Sequence, residues 1–385
     1  MTRKLYDENT YQKDFTAVIT AVRKDRDRVL VALDQTAFFP ESGGQPGDSG
    51  TLNGVRVSET VIHDGEIWHV CPANAVFAVG DDVEGKLDLE LRFSRMQGHT
   101  GEHILSGLAH EYYGCENTGF HMDRNDVMTV DFDKFLEPDA LARLETEANA
   151  RIWENRAVTA FYPSDEELAT MTYRAKLEDL DETRIVLIDG VDACACCAPH
   201  VKGTAEVGLL KILTAMRHRG GVRLTVVCGK AALLDYRIKQ DAALHIADVL
   251  ASKHGETAEA VDALLEKNKS LQYEMNGRTT AIFTWLRDEL PKTEGSRTFF
   301  LPALSGEDLK KAAVILKETC TGLCVVLSGE DGAYYFAMSS MTVDVKEYVR
   351  EATKALSGSG GGRYEVVQGR FQATREEIER YFSGK

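Results

Sequence analysis

The chain of 385 residues is short of positive charge. Its 45 lysines and arginines face 61 aspartates and glutamates, a formal balance of −16. That excludes a protein that grips nucleic acid through bulk charge and leaves only a local basic face for such a role. No apolar run approaches the ~18 residues needed to cross a bilayer, so no membrane partner is expected. Arg3 and Lys4 are not followed by an apolar stretch, which argues against a secretory leader. Eight prolines and 32 glycines are too few for a collagenous or largely disordered chain. Eight cysteines are sparse for a disulfide scaffold, and three of them fall within four positions. That clustering points to metal chemistry in a reducing cytoplasm.

What is present suffices for ordinary packed cores: 43% of residues are hydrophobic, and the length corresponds to two or three domains at roughly 150 residues each. Residues 11–92 read as strands. Phe15 to Val22, Arg28 to Leu33, Val55 to His63 and Glu66 to Val70 carry β-branched and apolar runs between polar breaks, and Asp64-Gly65 is a hairpin signal. Val83 to Leu91 alternates and reads as another strand. A small barrel or sandwich follows from this count. From Arg95 to Tyr113, and again from Leu136 to Val158, apolar residues recur every three or four positions, which is helical. Strands are expected at Val127 to Phe132, Arg184 to Ile188, Val207 to Leu213 and Arg223 to Cys228. Tyr236 to Leu290 reads as nearly unbroken helix. In it Val261, Leu264, Leu271, Met275, Ile282 and Trp285 keep a 3–4 spacing, interrupted by Asn268 and Arg278. That stripe fits a helical hairpin on its own chain and a dimer seam equally. The last ~90 residues alternate strand and helix up to Gly358-Ser359-Gly360-Gly361-Gly362-Arg363. The fold class is α+β and multidomain, divided as 1–92 (β-barrel), 93–235 (α+β), 236–292 (helical) and 293–385 (α/β).

Four motifs carry chemistry. His99-Thr100-Gly101-Glu102-His103 sets two imidazoles one helical turn apart on one face, where both can reach a single ion. Cys194-Ala195-Cys196-Cys197-Ala198-Pro199-His200 offers thiolate and imidazole within a few residues, a set that suits Zn²⁺. Two histidines and a Cys-x3-His unit make four ligands, with the choice among the three cysteines open. Phe38-Phe39-Pro40-Glu41-Ser42-Gly43-Gly44-Gln45-Pro46-Gly47-Asp48-Ser49-Gly50 is a glycine-rich connection that allows close backbone approach to a ligand. The late glycine run is not a phosphate-cradling P-loop, since no Gly-Lys-Ser/Thr follows, but its backbone N–H groups and Arg363 can meet RNA phosphates. Residues 202–239 hold Lys202, Lys211, Arg217, Arg219, Arg223, Lys230, Arg237 and Lys239 against Glu206 and Asp235, a local 8 − 2 = +6. This is where phosphate contacts are expected.

In their order these motifs resemble the editing half of alanyl-tRNA synthetase, and the chain is similar to the freestanding alanyl-tRNA editing proteins of the AlaX type, in the long form that ends in a DHHA1-like domain. The resemblance implies a zinc-binding editing domain after the barrel and a tRNA-binding domain at the end. No aminoacylation domain precedes the barrel, so charging of tRNA is not expected. It implies His99, His103, Cys196 and His200 as zinc ligands, with Cys197 able to compete because the loop reads Cys-Ala-Pro where relatives have glycines. It sets Thr118-Gly119-Phe120-His121 beside the amino-acid pocket. Thr118, as a contact for a serine hydroxyl, and Gln45 are the candidate catalytic residues, and Lys202, Arg217, Arg219 and Arg363 the candidate RNA contacts.

The implied reaction is hydrolysis of the ester in alanine tRNA mischarged with serine or glycine. Zinc serves such chemistry by polarising the ester or lowering the pKa of water. Four protein ligands, however, close a zinc site that catalysis usually keeps open. Two other readings arise from the residues. His99-x-x-Glu102-His103 also fits the inverted zinc-peptidase motif, and a closed four-ligand site suits a non-catalytic tRNA-binding protein with structural zinc.

Overall fold

Strict alternation builds the N-terminal sheet. In the strand Asp14–Asp25, Phe15, Ala17 and Ile19 are buried while the residues between them face out. Seven antiparallel strands follow the order Val55–Val57, Gly50–Leu52, Asp82–Leu87, Asp14–Asp25, Arg28–Leu33, Glu66–Pro72 and Glu59–His63. The two outermost strands are consecutive in the chain, separated by Ser58 alone, so the sheet is a nearly closed barrel. The computed structural model describes residues 2–175, 183–363 and 365–383.

Beside the barrel runs a 25-residue helix, Leu89–Tyr113, with 17 buried residues. A four-stranded antiparallel sheet covers one side of it: Asn117–Met122, Met128–Phe132, Gly221–Cys228 and Leu210–His218. The helix Pro138–Trp153 and a three-stranded sheet, Val158–Phe161, Ile185–Ile188 and Asp192–Ala195, complete this core. The chain divides into two compact units, Met1–Ala243 and Leu244–Lys385. In the second unit the sheet order is Arg297–Phe300, Leu323–Glu330, Ala333–Ser340, Val366–Phe371 and Ser359–Arg363. Leu323, Val325 and Leu327 pack with Val349 and Phe382, whereas Cys324 and Val326 pack with Leu309 and Leu316. Both faces of this sheet are therefore covered. Among the described residues no helix is long and apolar enough to cross a membrane.

Several expectations require correction. The alternating run Val83 to Leu91 is not one strand. It ends at Leu87, because the Asp88 carboxylate accepts from the Leu91 N–H at 3.3 Å and starts a helix there. The helix expected to reach Val158 stops at Trp153, and Val158 opens a strand. Thr204–Val207 is a 3₁₀ turn before the strand that begins at Leu210. The long helical stretch is two helices, Gly229–Leu250 and Thr257–Glu289, broken after Ala251 takes a left-handed conformation. The glycine run Gly360-Gly361-Gly362 lies inside the edge strand Ser359–Arg363.

Candidate metal centre

The helix Leu89–Tyr113 presents His99 and His103 from consecutive turns, and the loop after the strand Asp192–Ala195 brings Cys196 and His200 against them. One ligand atom from each of the four lies within 4.8 Å of the others. All three histidines are about 3% exposed, and their ring centroids stand 4.7–5.4 Å apart. The Cys196 sulfur is 3.5 Å from His99 Nε2 and 3.5 Å from His200 Nε2. Zinc bond lengths of ~2.1 Å to nitrogen and ~2.3 Å to sulfur put tetrahedral ligands roughly 3.4–3.6 Å apart, so this donor set fits Zn²⁺. A second group that could hold a metal, His103 with Asp192 and Cys194, shares one histidine with the first.

Each imidazole is oriented from behind. His99 Nδ1 meets Gln45 Oε1 at 2.8 Å, His200 Nδ1 meets Thr100 Oγ1 at 3.0 Å and His103 Nδ1 meets Asp192 Oδ2 at 3.1 Å. With these oxygens accepting from the Nδ1–H groups, the Nε2 atoms are left to face the ion, the arrangement that fixes metal-ligating histidines elsewhere. Arg174 clamps Asp192 with two 2.7 Å hydrogen bonds. Arg184, 4% exposed, donates to the carbonyls of Cys196 and Ala198 at 3.0 Å and so shapes the cysteine loop.

Two glycines permit these approaches. A Cβ at Gly107 would stand 2.7 Å from the Val191 carbonyl, so glycine lets the helix Leu89–Tyr113 lie against the hairpin bearing Asp192. Gly44 has φ +80° and its absent Cβ would meet the Phe120 carbonyl at 2.3 Å, which sets the loop carrying Gln45 on the strand Asn117–Met122.

The electrostatics suit a cation. Burial alone would raise the Cys196 thiol, but the imidazoles of His99, His103 and His200 hold it well below its ordinary range. Burial, with the other imidazoles, lowers His200 to about 3, so it is neutral. For His103, burial is outweighed by Asp192 and Cys196, which raise it.

Of the other cysteines, Cys194 is buried in its strand, and Cys197 is exposed with its sulfur 3.5 Å from the Ser42 hydroxyl. Gln45 is fully buried against His99. Thr118 is exposed and its hydroxyl donates to the Asp131 carbonyl at 3.3 Å, while its neighbours Asn117 and Phe120 turn inward. Asn117 donates to Glu102 and to Ser106, and the Phe120 ring lies 4.8 Å from that of His99.

Four of the eight cations in residues 202–239 are paired, one of them with Asp235, which the count of +6 already includes. Lys211, Arg223, Lys230 and Lys239 pair with Glu145, Asp131, Glu90 and Asp235. Lys202 lies over the Tyr11 ring and Arg217 over that of Phe135. Arg219 sits at a hairpin turn, and Arg363 is exposed at the end of an edge strand of the second unit.

The sequence reading missed Thr100, Asp192, Arg174 and Arg184. Only Thr100 carried a signal, by lying between the two helical histidines.

Comparison with known proteins sets the class first. Residues 5–91 match the family model described as tRNA synthetases class II (A), and residues 183–224 the one described as Threonyl and Alanyl tRNA synthetase second additional domain. More particularly, the chain is similar to the alanyl-tRNA editing protein AlaX-L of Pyrococcus horikoshii, 29% identical over 98% of this chain and 96% of that one. The resemblance to the AlaX type read from the motifs thus extends over nearly the whole chain. The alanine–tRNA ligases of Pyrococcus abyssi and Chlorobaculum tepidum are 29% and 31% identical over 96% and 91% of this chain. The chain spans only 42% and 44% of their lengths.

Proposed function

We propose that this protein is a trans-editing hydrolase that removes serine or glycine from mischarged alanine tRNA. The observation that carries the reading is the likeness to AlaX-L along nearly the full length of both chains. The cluster of His99, His103, Cys196 and His200 supports it. In this reading 1–92 is the barrel, 93–235 the deacylase, 236–292 a helical segment and 293–385 a DHHA1-like tRNA-binding part.

His99, His103 and His200 through Nε2, with Cys196 through Sγ, are the residues that would hold Zn²⁺. When bound, the ion supplies Lewis acidity for an ester carbonyl or for water. The reaction consumes one water per ester and releases a free amino acid and a free ribose hydroxyl. Gln45 holds His99 through its amide oxygen and turns its amide nitrogen toward the substrate. Thr118 meets a serine hydroxyl once its bond to Asp131 yields. A pocket that hydrogen-bonds that hydroxyl leaves polar groups unpaired when alanine enters, and so spares the correct product. Glu102 accepts from Ser106 at 2.6 Å and from Asn117, an anchored role unlike that of a peptidase base. Lys202, Arg217, Arg219 and Arg363 are the proposed contacts to RNA.

The test compares release of serine and alanine from tRNA by the wild type and by Cys196→Ala. The wild type is expected to release serine well above the buffer rate and to spare alanine. Cys196→Ala is expected to lose roughly 100-fold or more, since loss of a supporting residue alone costs about 10–100-fold. Serine release by the wild type at the buffer rate would end the editing reading.

We assign the long helix to a homodimer. Its stripe Val261, Leu264, Asn268, Leu271, Met275, Arg278, Ile282 and Trp285 follows a heptad seam, and Leu271, Met275 and Trp285 are each more than half exposed. Asn268 at one seam position sets the register of a two-stranded coiled coil. In sedimentation velocity the wild type is expected to run as a dimer and Leu271→Glu as a monomer. A wild type that stays monomeric at micromolar concentration would refute the assignment.

A further inference from the structure

The loop that carries Cys196 and His200 is held by the N-terminal arm, residues 5–11. The Tyr6 ring is 4% exposed and packs on Ala198, with Cys196 against the same small cluster. The Asp7 carboxylate stands 3.4 Å from Nε of Arg184, whose Nη1 donates to the carbonyls of Cys196 and Ala198. Thr10 donates its hydroxyl to the His200 carbonyl at 3.2 Å, across 190 residues of chain. Tyr11 donates to Glu206 at 2.6 Å and accepts the Lys202 N–H at 3.2 Å. Glu206 in turn accepts the N–H groups of Lys202 and Gly203 at 3.1 and 3.0 Å. The arm therefore reaches the loop at both of its candidate ligands and just beyond them.

The arm is itself anchored. Before it, the Thr2 hydroxyl donates to the Leu33 carbonyl at 2.7 Å and the Arg3 N–H to the Asp34 carbonyl at 2.8 Å, both on the barrel. Within it, Arg92 of the helix Leu89–Tyr113 donates to the Thr10 carbonyl at 3.1 Å. After it, the strand Asp14–Asp25 runs into the barrel sheet. Of its contacts with the loop, the one through Asp7 carries charge. A buried guanidinium needs a counter-charge. Arg184 is 4% exposed, and Asp7, itself largely buried, supplies that charge while the Tyr162 hydroxyl donates to its other oxygen at 3.1 Å. Without the carboxylate, the guanidinium is drawn toward water and away from the two loop carbonyls. The remaining contacts are packing and neutral hydrogen bonds, which are weaker than charged ones.

We propose that the N-terminal arm clamps the metal centre, and that Asp7, acting through Arg184, is a positioning residue for Cys196. The proposal rests on the zinc reading and extends it to residues of the barrel region. His99 and His103 come from one helix and keep their spacing unaided. Cys196 and His200 come from a loop, and the arm fixes how far that loop stands from the helix. Half of the ligand set is thus pre-formed by a segment that supplies no ligand.

Two measurements on the full chain test the clamp. Hydrogen exchange in the metal-free protein reads the loop alone. In Asp7→Ala, peptides covering 194–203 are expected to exchange about fivefold faster or more, the sign of a lower local opening energy, while those of the helix Leu89–Tyr113 keep their rates. Zinc titration against a chromophoric chelator reads the site. Asp7→Ala is expected to bind about tenfold more weakly, the lower end of what groups supporting metal ligands carry. Asp7→Glu keeps the carboxylate and should return most of that loss. Thr10→Val removes the one bond to the His200 carbonyl with little risk to folding, and should cost about threefold. With Co²⁺ as a spectroscopic probe, the thiolate-to-metal band from Cys196 is expected to be weaker in Asp7→Ala than in the wild type at saturating metal. Unchanged loop exchange in folded Asp7→Ala would overturn the proposal, as would a loss of affinity that Asp7→Glu does not restore. A wild type that takes up neither zinc nor cobalt would sink the metal reading, and the exchange rates would still decide the clamp.

Discussion

Replacing Arg92 by methionine is expected to destabilise the first unit by about 3–5 kcal/mol, the cost of leaving one member of a buried ion pair without the other. Arg92 is 0% exposed and Asp48 1%. The guanidinium donates through Nε to Asp48 Oδ2 at 2.9 Å, with a second, shorter contact from Nη2 to the same oxygen. Nη2 also meets the Ala37 carbonyl at 2.8 Å and Nη1 the Thr10 carbonyl at 3.1 Å. Asp48 further accepts the Phe39 N–H at 2.6 Å. One side chain of the helix Leu89–Tyr113 therefore ties three segments of the barrel region together, two turns ahead of His99. For a unit of this size the loss corresponds to a fall in Tm of roughly 6–20 °C. Arg92→Lys should fall between, because an ammonium cannot span the same fork of acceptors. Arg92→Met/Asp48→Leu should cost less than the sum of its single changes, since it removes the stranded charge as well. Thermal melts of the zinc-loaded protein decide the matter. A shift under 2 °C in Arg92→Met would show that the barrel and the helix hold together without this pair.

The pair also marks the limit of what the sequence could disclose. The i,i+4 histidines and the Cys-x3-His unit were legible because each is local, within one helical turn or one loop. The alternating strands of the barrel were legible for the same reason. Asp48 and Arg92 are 44 residues apart and match no short pattern, so nothing in the sequence marked them as partners. Asp192 is hidden likewise, because its partner His103 comes 89 residues earlier. The +6 of residues 202–239 is a count along the chain that sees only sequence neighbours, while Glu145, Asp131 and Glu90 arrive from other elements. Alternation through Leu91 hid a helix start for a different reason. Leu89 and Leu91 keep the period of two, and only the side chain of Asp88 reveals that the backbone has turned. The residues alone left the choice among the three cysteines open, because the loop is shaped by Arg184 from outside the motif.

If the proposed zinc site is right, Asp192→Ala is expected to weaken zinc affinity by about 10–100-fold while leaving His99, His103, Cys196 and His200 in place, since the groups that hydrogen-bond metal-bound histidines from behind carry that much. The carboxylate accepts from His103 Nδ1 at 3.1 Å and is itself held by Arg174 through two bonds of 2.7 Å. Without it, His103 loses the acceptor that keeps Nε2 turned toward Cys196, and a proton or a rotated ring competes with the ion. Asp192→Asn separates orientation from charge. Its amide oxygen can still accept from His103, so most of the affinity should return if orientation dominates, and little if the negative charge does. Thr100→Val offers an independent check, because it removes the 3.0 Å partner of His200 Nδ1 without touching Asp192 or Arg174. Competition titration against a chromophoric chelator reads the affinity, and circular dichroism confirms that each variant is folded. Wild-type zinc affinity in folded Asp192→Ala and Thr100→Val would mean that packing alone aims the imidazoles, and that the hydrogen bonds behind them are incidental.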